Sequence, residues 1–311
     1  MKKKNEKVLI PIWIWILGVF FLAGCVRVSP VWDEQYRRAV RYYQLGNFTQ
    51  AIREGEKALA TAQERLGHDH PQVAVSLNAL GVFHKNSGSL DTAEDYYLKA
   101  LETWKKTKGE RNSDLTVALQ NLGVLYFSEK RYPEAKILWE KALKIREASF
   151  SAKDPRIAVS LNSLGVISKI EGKMDEAEQY YDRALSILEP LDPDHPDLRI
   201  IYHNLSVLYI AEGRYEEAAL KSRRALSLRE KILGGLHPEV LQSLRNLRHI
   251  YEVDGQREEA LAMEARIQAL TKHMPESPYY APGTSVFLVP GSKGESLILE
   301  EEQLEEMAKE S

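Results

Sequence analysis

Val75-Ser76-Leu77-Asn78-Ala79-Leu80-Gly81 decides the fold, because its leucine-leucine-glycine skeleton returns along the chain at a fixed distance. Leu80-Gly81 comes back as Leu122-Gly123 and Leu164-Gly165, then as Leu205-Ser206 and Leu247-Arg248. Three residues before each of these leucines stand Leu77, Leu119, Leu161, Tyr202 and Leu244. Residues three and four apart share one face of a helix, so the spacing predicts a packed helical stripe. Twelve residues beyond the small position lie Ala51, Ala93, Ala135, Ala177, Ala218 and Ala260, in steps of 42, 42, 42, 41 and 42. Six units follow, and the single lost residue is expected in the loop Leu191-Asp192-Pro193-Asp194-His195-Pro196, where no helix face is rotated by it.

A second helix is predicted in each unit from Ala58-Leu59, Ala100-Leu101, Ala142-Leu143, Ala184-Leu185 and Ala225-Leu226, seven residues past the aligned alanines. Between the two helices stand Gly46, Gly88, Gly172, Gly213 and Gly255, with Lys130 at that place in the third unit. Glycine ends helices by entering the left-handed region without steric cost. Pro71, Pro155 and Pro238 fall where the next unit begins, and proline is tolerated in a first turn. The end units depart from the pattern, with Gln35 and Arg38 in the first and Arg248, Arg257 and Gln268 in the sixth. Terminal repeats lack one neighbour, so these are expected to be solvent-facing caps.

This order of leucine, small residue, glycine turn and paired alanines resembles the tetratricopeptide repeat over residues 33–274, and the 42-residue period resembles its kinesin light chain variety. The resemblance implies an all-α fold, a right-handed superhelix of six helical hairpins. It also implies a concave groove lined by the first helix of each unit, which takes extended or helical peptide segments. Mapped onto this chain, the groove comprises Asn78, Val82 and Lys85, then Gln120, Asn121 and Val124, then Asn162 and Lys169, then His203 and Asn204, and finally Arg245 and Asn246. A carboxamide both donates and accepts, so a row of asparagines suits the backbone of a guest. The same amides would also suit hydrogen bonds between neighbouring helices.

The first residues carry a different signal. Lys2, Lys3, Lys4 and Lys7 precede an uncharged apolar run from Val8 to Ala23, the pattern of an export signal and short for a membrane span of about 20 residues. Leu22-Ala23-Gly24-Cys25 resembles the lipobox of bacterial lipoproteins. That resemblance implies cleavage before Cys25, a diacylglycerol thioether on its sulfur and an acyl chain on the new amino group. The alternatives are an uncleaved anchor and an ordinary cleaved signal. The expected domains are a signal peptide over 1–24, a lipidated linker over 25–32, the solenoid over 33–274 and a flexible tail over 275–311. Leu297 to Lys309 could form a brief acidic amphipathic helix, as a docking peptide or an element folded back into the groove. The mature protein is expected outside the cytoplasm, lipid-anchored to the cell membrane. Val26 resembles a permit for the outer membrane, facing the periplasm, where the cell has two membranes.

Across 311 residues the formal net charge is -3, which argues against a general nucleic-acid binder. With Cys25 as the one cysteine, a single chain forms no disulfide and no multi-cysteine metal site. His68-Asp69-His70-Pro71, Asp194-His195-Pro196 and His237-Pro238 hold plausible zinc ligands, but they sit at one phase of the repeat and read as loop caps. No phosphate loop, nucleophile elbow or paired-histidine motif appears in the chain, so neither cofactor nor catalysis is expected. The expectation is a membrane-anchored scaffold or adaptor of the cell envelope. An assembly factor for an envelope machine, such as a pilus or secretion pore, is the alternative, with an envelope hydrolase behind it.

Overall fold

The computed structural model describes residues 30–109 and 113–273. Residues 1–29, which hold the expected signal peptide, Cys25 and most of the expected linker, and residues 274–311, which hold the expected tail over 275–311, lie outside them. Twelve α-helices and no strand occur among the described residues. They form six consecutive pairs: α1 (Pro30–Gln44) with α2 (Phe48–Leu66), α3 (Pro71–Asn86) with α4 (Leu90–Lys108), α5 (Leu115–Ser128) with α6 (Tyr132–Ser149), α7 (Pro155–Ile170) with α8 (Met174–Leu188), α9 (Leu198–Ala211) with α10 (Tyr215–Leu233), and α11 (Pro238–Val253) with α12 (Arg257–His273). The first helix starts at Pro30, three residues before the expected boundary.

The chain divides into two compact units, Met1–Ala118 and Leu119–Ser311. In the first, α1 packs on α2, α2 on α3 and α3 on α4. In the second, α6 packs on α7 and each later helix on the next through α12. Trp139 joins α6 to α5, its indole Nε1 donating to the Gln120 carbonyl at 3.2 Å.

Helix ends follow from local chemistry. Gly46, Gly88, Gly172, Gly213 and Gly255 close the first helix of five pairs at positive φ, and Lys130 takes the same conformation at φ 59° in the third. That residue bears the steric cost which glycine avoids. Proline opens α3, α7 and α11, preceded by His70, Asp154 and His237 as N-caps. Each cap side chain accepts the backbone N–H two residues on, at 3.2, 3.0 and 3.2 Å.

The small positions bring the two helices of a hairpin together. A Cβ added to Gly81 would stand 2.6 Å from Cδ1 of Tyr97, one on Gly123 2.7 Å from Cδ1 of Trp139, and one on Gly165 2.6 Å from Cε1 of Tyr181. Each ring lies sixteen residues after its glycine and is buried. In the fifth hairpin the phase holds Ser206, whose hydroxyl donates to the Ala218 carbonyl at 2.9 Å. In the sixth it holds Arg248, half-buried and paired with Glu264 at 2.5 Å. Arg248, expected as part of a solvent-facing cap, keeps its side chain about a third exposed while its guanidinium spans the hairpin where a ring would otherwise press.

Candidate protein-binding face

The first helices of the hairpins carry the residues expected to line the groove. In the first unit, Asn78 of α3 is buried, while Val82 and Lys85 are half-buried. In the second unit, Gln120, Asn162, Lys169, His203 and Asn204 are buried, Asn121, Val124 and Asn246 half-buried, and Arg245 exposed. Nine consecutive residues of α7, Leu161 to Lys169, are all buried. Buried on every side along that stretch, α7 has no open face to offer there.

Several of these polar groups bond to a neighbouring helix. Gln120 Nε2 donates to Ser163 Oγ at 2.7 Å, and Asn204 Nδ2 donates to Asn162 Oδ1 at 2.9 Å. Asn246 Nδ2 meets His203 Nδ1 at 3.4 Å. Each bond joins one phase of a hairpin to the following phase of the next, so α5, α7, α9 and α11 are stitched by a ladder that advances one residue per step. A buried amide whose partner is removed costs about 1–3 kcal/mol, which makes these contacts part of the packing. Outside this ladder, Val124 is half-buried and Arg245 exposed in the second unit, and Val82 is half-buried in the first.

Lys169 stands apart. It is fully buried in α7, its Nζ has no hydrogen-bond partner among the described residues, and desolvation pulls its pKa down to about 8. A buried ammonium without a partner is costly, so the proton leaves readily.

A charged cluster that residue types alone did not reveal lies at the ends of α9, α10 and α11. Arg199, Arg229 and Glu239 are all buried; the Glu239 carboxylate is 3.2 Å from Arg229 Nε and 3.8 Å from Arg199 Nη1. Burial lowers the Arg229 pKa to about 10. Arg229 also donates to Ser243 Oγ, and Arg146, at the same phase two hairpins earlier, donates to Ser160 Oγ at 2.7 Å. An arginine followed fourteen residues later by serine, twice at one phase, is the signal in the sequence.

His70 and His237 cap α3 and α11, each using Nδ1 to accept a backbone N–H, and His195 Nδ1 accepts the N–H of Asp197, the residue just before α9. Burial lowers the pKa of His70 and His237, in keeping with that role.

With this geometry in place, comparison with known proteins gives the class. The tetratricopeptide repeat family model matches residues 35–106, 77–148, 114–189 and 156–231, and the chain belongs to that family. Its members are protein-interaction scaffolds, and the matches indicate no enzyme family. Among solved structures, BtubC (BKLC) from P. vanneervenii is similar at 24% identity and TM-score 0.62, over 84% of this chain and 99% of that one. PilW, a type IV pilus biogenesis factor, is similar at 17% identity and TM-score 0.59, over 81% and 98%. The pilF protein of Pseudomonas aeruginosa is similar at 22% identity and TM-score 0.55, over 80% and 95%. At these identities the likeness is one of fold. No curated protein sequence matches the chain.

Proposed function

We propose that this protein is a membrane-tethered adaptor: acylated Cys25 holds the repeat array to a lipid leaflet outside the cytoplasm, and the first-helix face recruits a segment of another protein. The observation that carries the tether is Leu22-Ala23-Gly24-Cys25, which closes the apolar run and sets Cys25 five residues before α1 begins. One acyl chain binds a membrane only marginally, whereas two or three make a stable anchor. Among the described residues no helix is long and apolar enough to cross a membrane.

Mass spectrometry of the amino terminus, with Cys25→Ala beside the native protein, tests the tether. An acylated Cys25 as first residue is expected; a retained Met1 overturns the lipoprotein reading. The recruiting face is tested by Val124→Asp, a half-buried position outside the amide ladder. Guest capture by photo-crosslinking from position 245 should fall while circular dichroism stays helical. Loss of helicity would make Val124 part of the packing, as the Asn204 to Asn162 bond makes that pair.

A second reading, assembly of a pilus or similar envelope machine, draws support from the fold likeness to PilW and to pilF of Pseudomonas aeruginosa. Crosslinked guests would separate the two: a pilus or secretion-pore subunit favours the machine, an unrelated envelope protein the adaptor.

A further inference from the structure

We propose that Val286-Phe287-Leu288-Val289, in the tail beyond α12, occupies the groove side of α7 and α9 until a guest displaces it. The inference rests on the recruiting face proposed above and names what fills part of that face when no guest does. One phase of the repeat shows the need for a cover. Val124 of α5 is half-buried, Val166 of α7 and Val207 of α9 are buried, and His249 of α11 is exposed. Three residues further along the last three helices, Lys169 is fully buried, Ile210 half-buried and Glu252 exposed. Place in the array does not account for this, since α5 is an interior first helix too. Helices α5, α6, α8 and α9 all meet α7. The sector left over is the one the repeat turns toward the groove, and its burial at Val166 and Lys169 calls for one more element.

The chemistry of that sector selects the occupant. Lys169 Nζ has no hydrogen-bond partner among the described residues, and burial is what lowers its pKa. A carboxylate laid over it would accept its hydrogen bond and hold the pKa up, so an apolar cover fits. Leu297-Ile298-Leu299 runs directly into Glu300-Glu301-Glu302 and is unsuited for that reason. The run from Val8 to Ala23 leaves with the signal in the reading above. Val286-Phe287-Leu288-Val289 remains, in a stretch without charge between Glu276 and Lys293. Pro282-Gly283 and Pro290-Gly291 bracket it and favour an extended backbone. Residues 274–285 separate it from the end of α12. That length of extended chain reaches at most about 45 Å, and packed helices lie about 10 Å apart, so α9 and α7 are within range. A guest then binds with an affinity reduced in proportion to the undocked fraction.

The test uses the full chain in lipid nanodiscs with Val166→Cys, read by thiol labelling peptide by peptide, so that Cys25 is scored separately. His249→Cys, exposed at the same phase, sets the unprotected rate. Val166→Cys should label slowly. Phe287→Asp with Leu288→Asp should raise its rate at least about tenfold, the factor that burial of one large apolar side chain supports. Helicity by circular dichroism and the rate at 249 should not change. A rate at 166 indifferent to the tail substitutions overturns the proposal. A photo-crosslinker at position 287 should join α7 or α9 of its own chain, and crosslinks to a second copy alone overturn it too. Guest capture from position 245, measured on the same chains, reports separately on the recruiting face. A faster rate at 166 with no guest captured by either chain removes the recruiting reading and supports the docked tail, whereas guest capture with an unchanged rate removes the docked tail alone.

Discussion

In the third hairpin Gly123 lies beneath the buried ring of Trp139, whereas in the sixth the same phase holds Arg248, joined to Glu264 across the hairpin. The first arrangement fills the space with apolar area and permits no side chain on the opposing helix. The second fills it with two long polar side chains, each about a third exposed. The difference follows from position in the array. An interior hairpin is covered on both sides and gains most from a large ring, while a terminal one must keep water on its outer side. The same contrast appears one turn further along the first helix, where interior Lys169 is buried and Glu252, at the same phase in the last hairpin, is exposed and 3.4 Å from Arg248.

Three substitutions bear on that contrast. Gly123→Leu should have the largest effect, a loss of about 3 kcal/mol at the upper end of overpacking costs, read as a shift in urea midpoint. A neutral result would undo the alignment of the repeats. Lys169→Met comes next and should stabilise the fold. The native lysine drops from 10.5 to about 8, and the unfolded chain binds more protons between those values, so its cost is complete below pH 8 and relieved as pH rises to 10.5. At pH 7 the gain is expected to approach about 3 kcal/mol, and the rise in native stability between pH 8 and 10.5 should be lost. A pH profile unchanged by the substitution would mean the amine finds a partner. Arg248→Ala should have the smallest effect, under about 1 kcal/mol, because a partly exposed pair is screened. Exchanging the charges, Arg248→Glu with Glu264→Arg, should recover what each single reversal loses; no recovery would show that the two side chains act independently.

The hairpins could be read from the sequence because the small position, the alanines and the turn glycines repeat, and each encodes a local geometric need. Even Lys130, the one break in the glycine series, adopts the glycine conformation, so the tertiary frame overrode the residue there. The binding face was less readable. Asn162 and Asn204 bear the right groups for a guest, but residue type does not say whether an amide faces open space or the next helix; the structure has it spent on the neighbour. Gln120 is likewise engaged, by Ser163 and by Arg146 at 3.4 Å. The buried arginines escaped notice for the opposite reason, since charge normally marks a surface. Only the repeated interval from Arg146 to Ser160 and from Arg229 to Ser243 distinguishes them from solvated side chains.

The ladder from Gln120 to Ser163, Asn162 to Asn204 and His203 to Asn246 has a consequence for how such an array can be inherited. A glycine and its ring belong to one hairpin, so a duplicated hairpin brings both along and packs as its parent did. A rung belongs to two hairpins. A copy inserted elsewhere inherits half of each rung and must find a matching amide, hydroxyl or imidazole in its new neighbour. Duplication lengthens the array freely at the first kind of contact, while the second kind restricts which order of repeats persists.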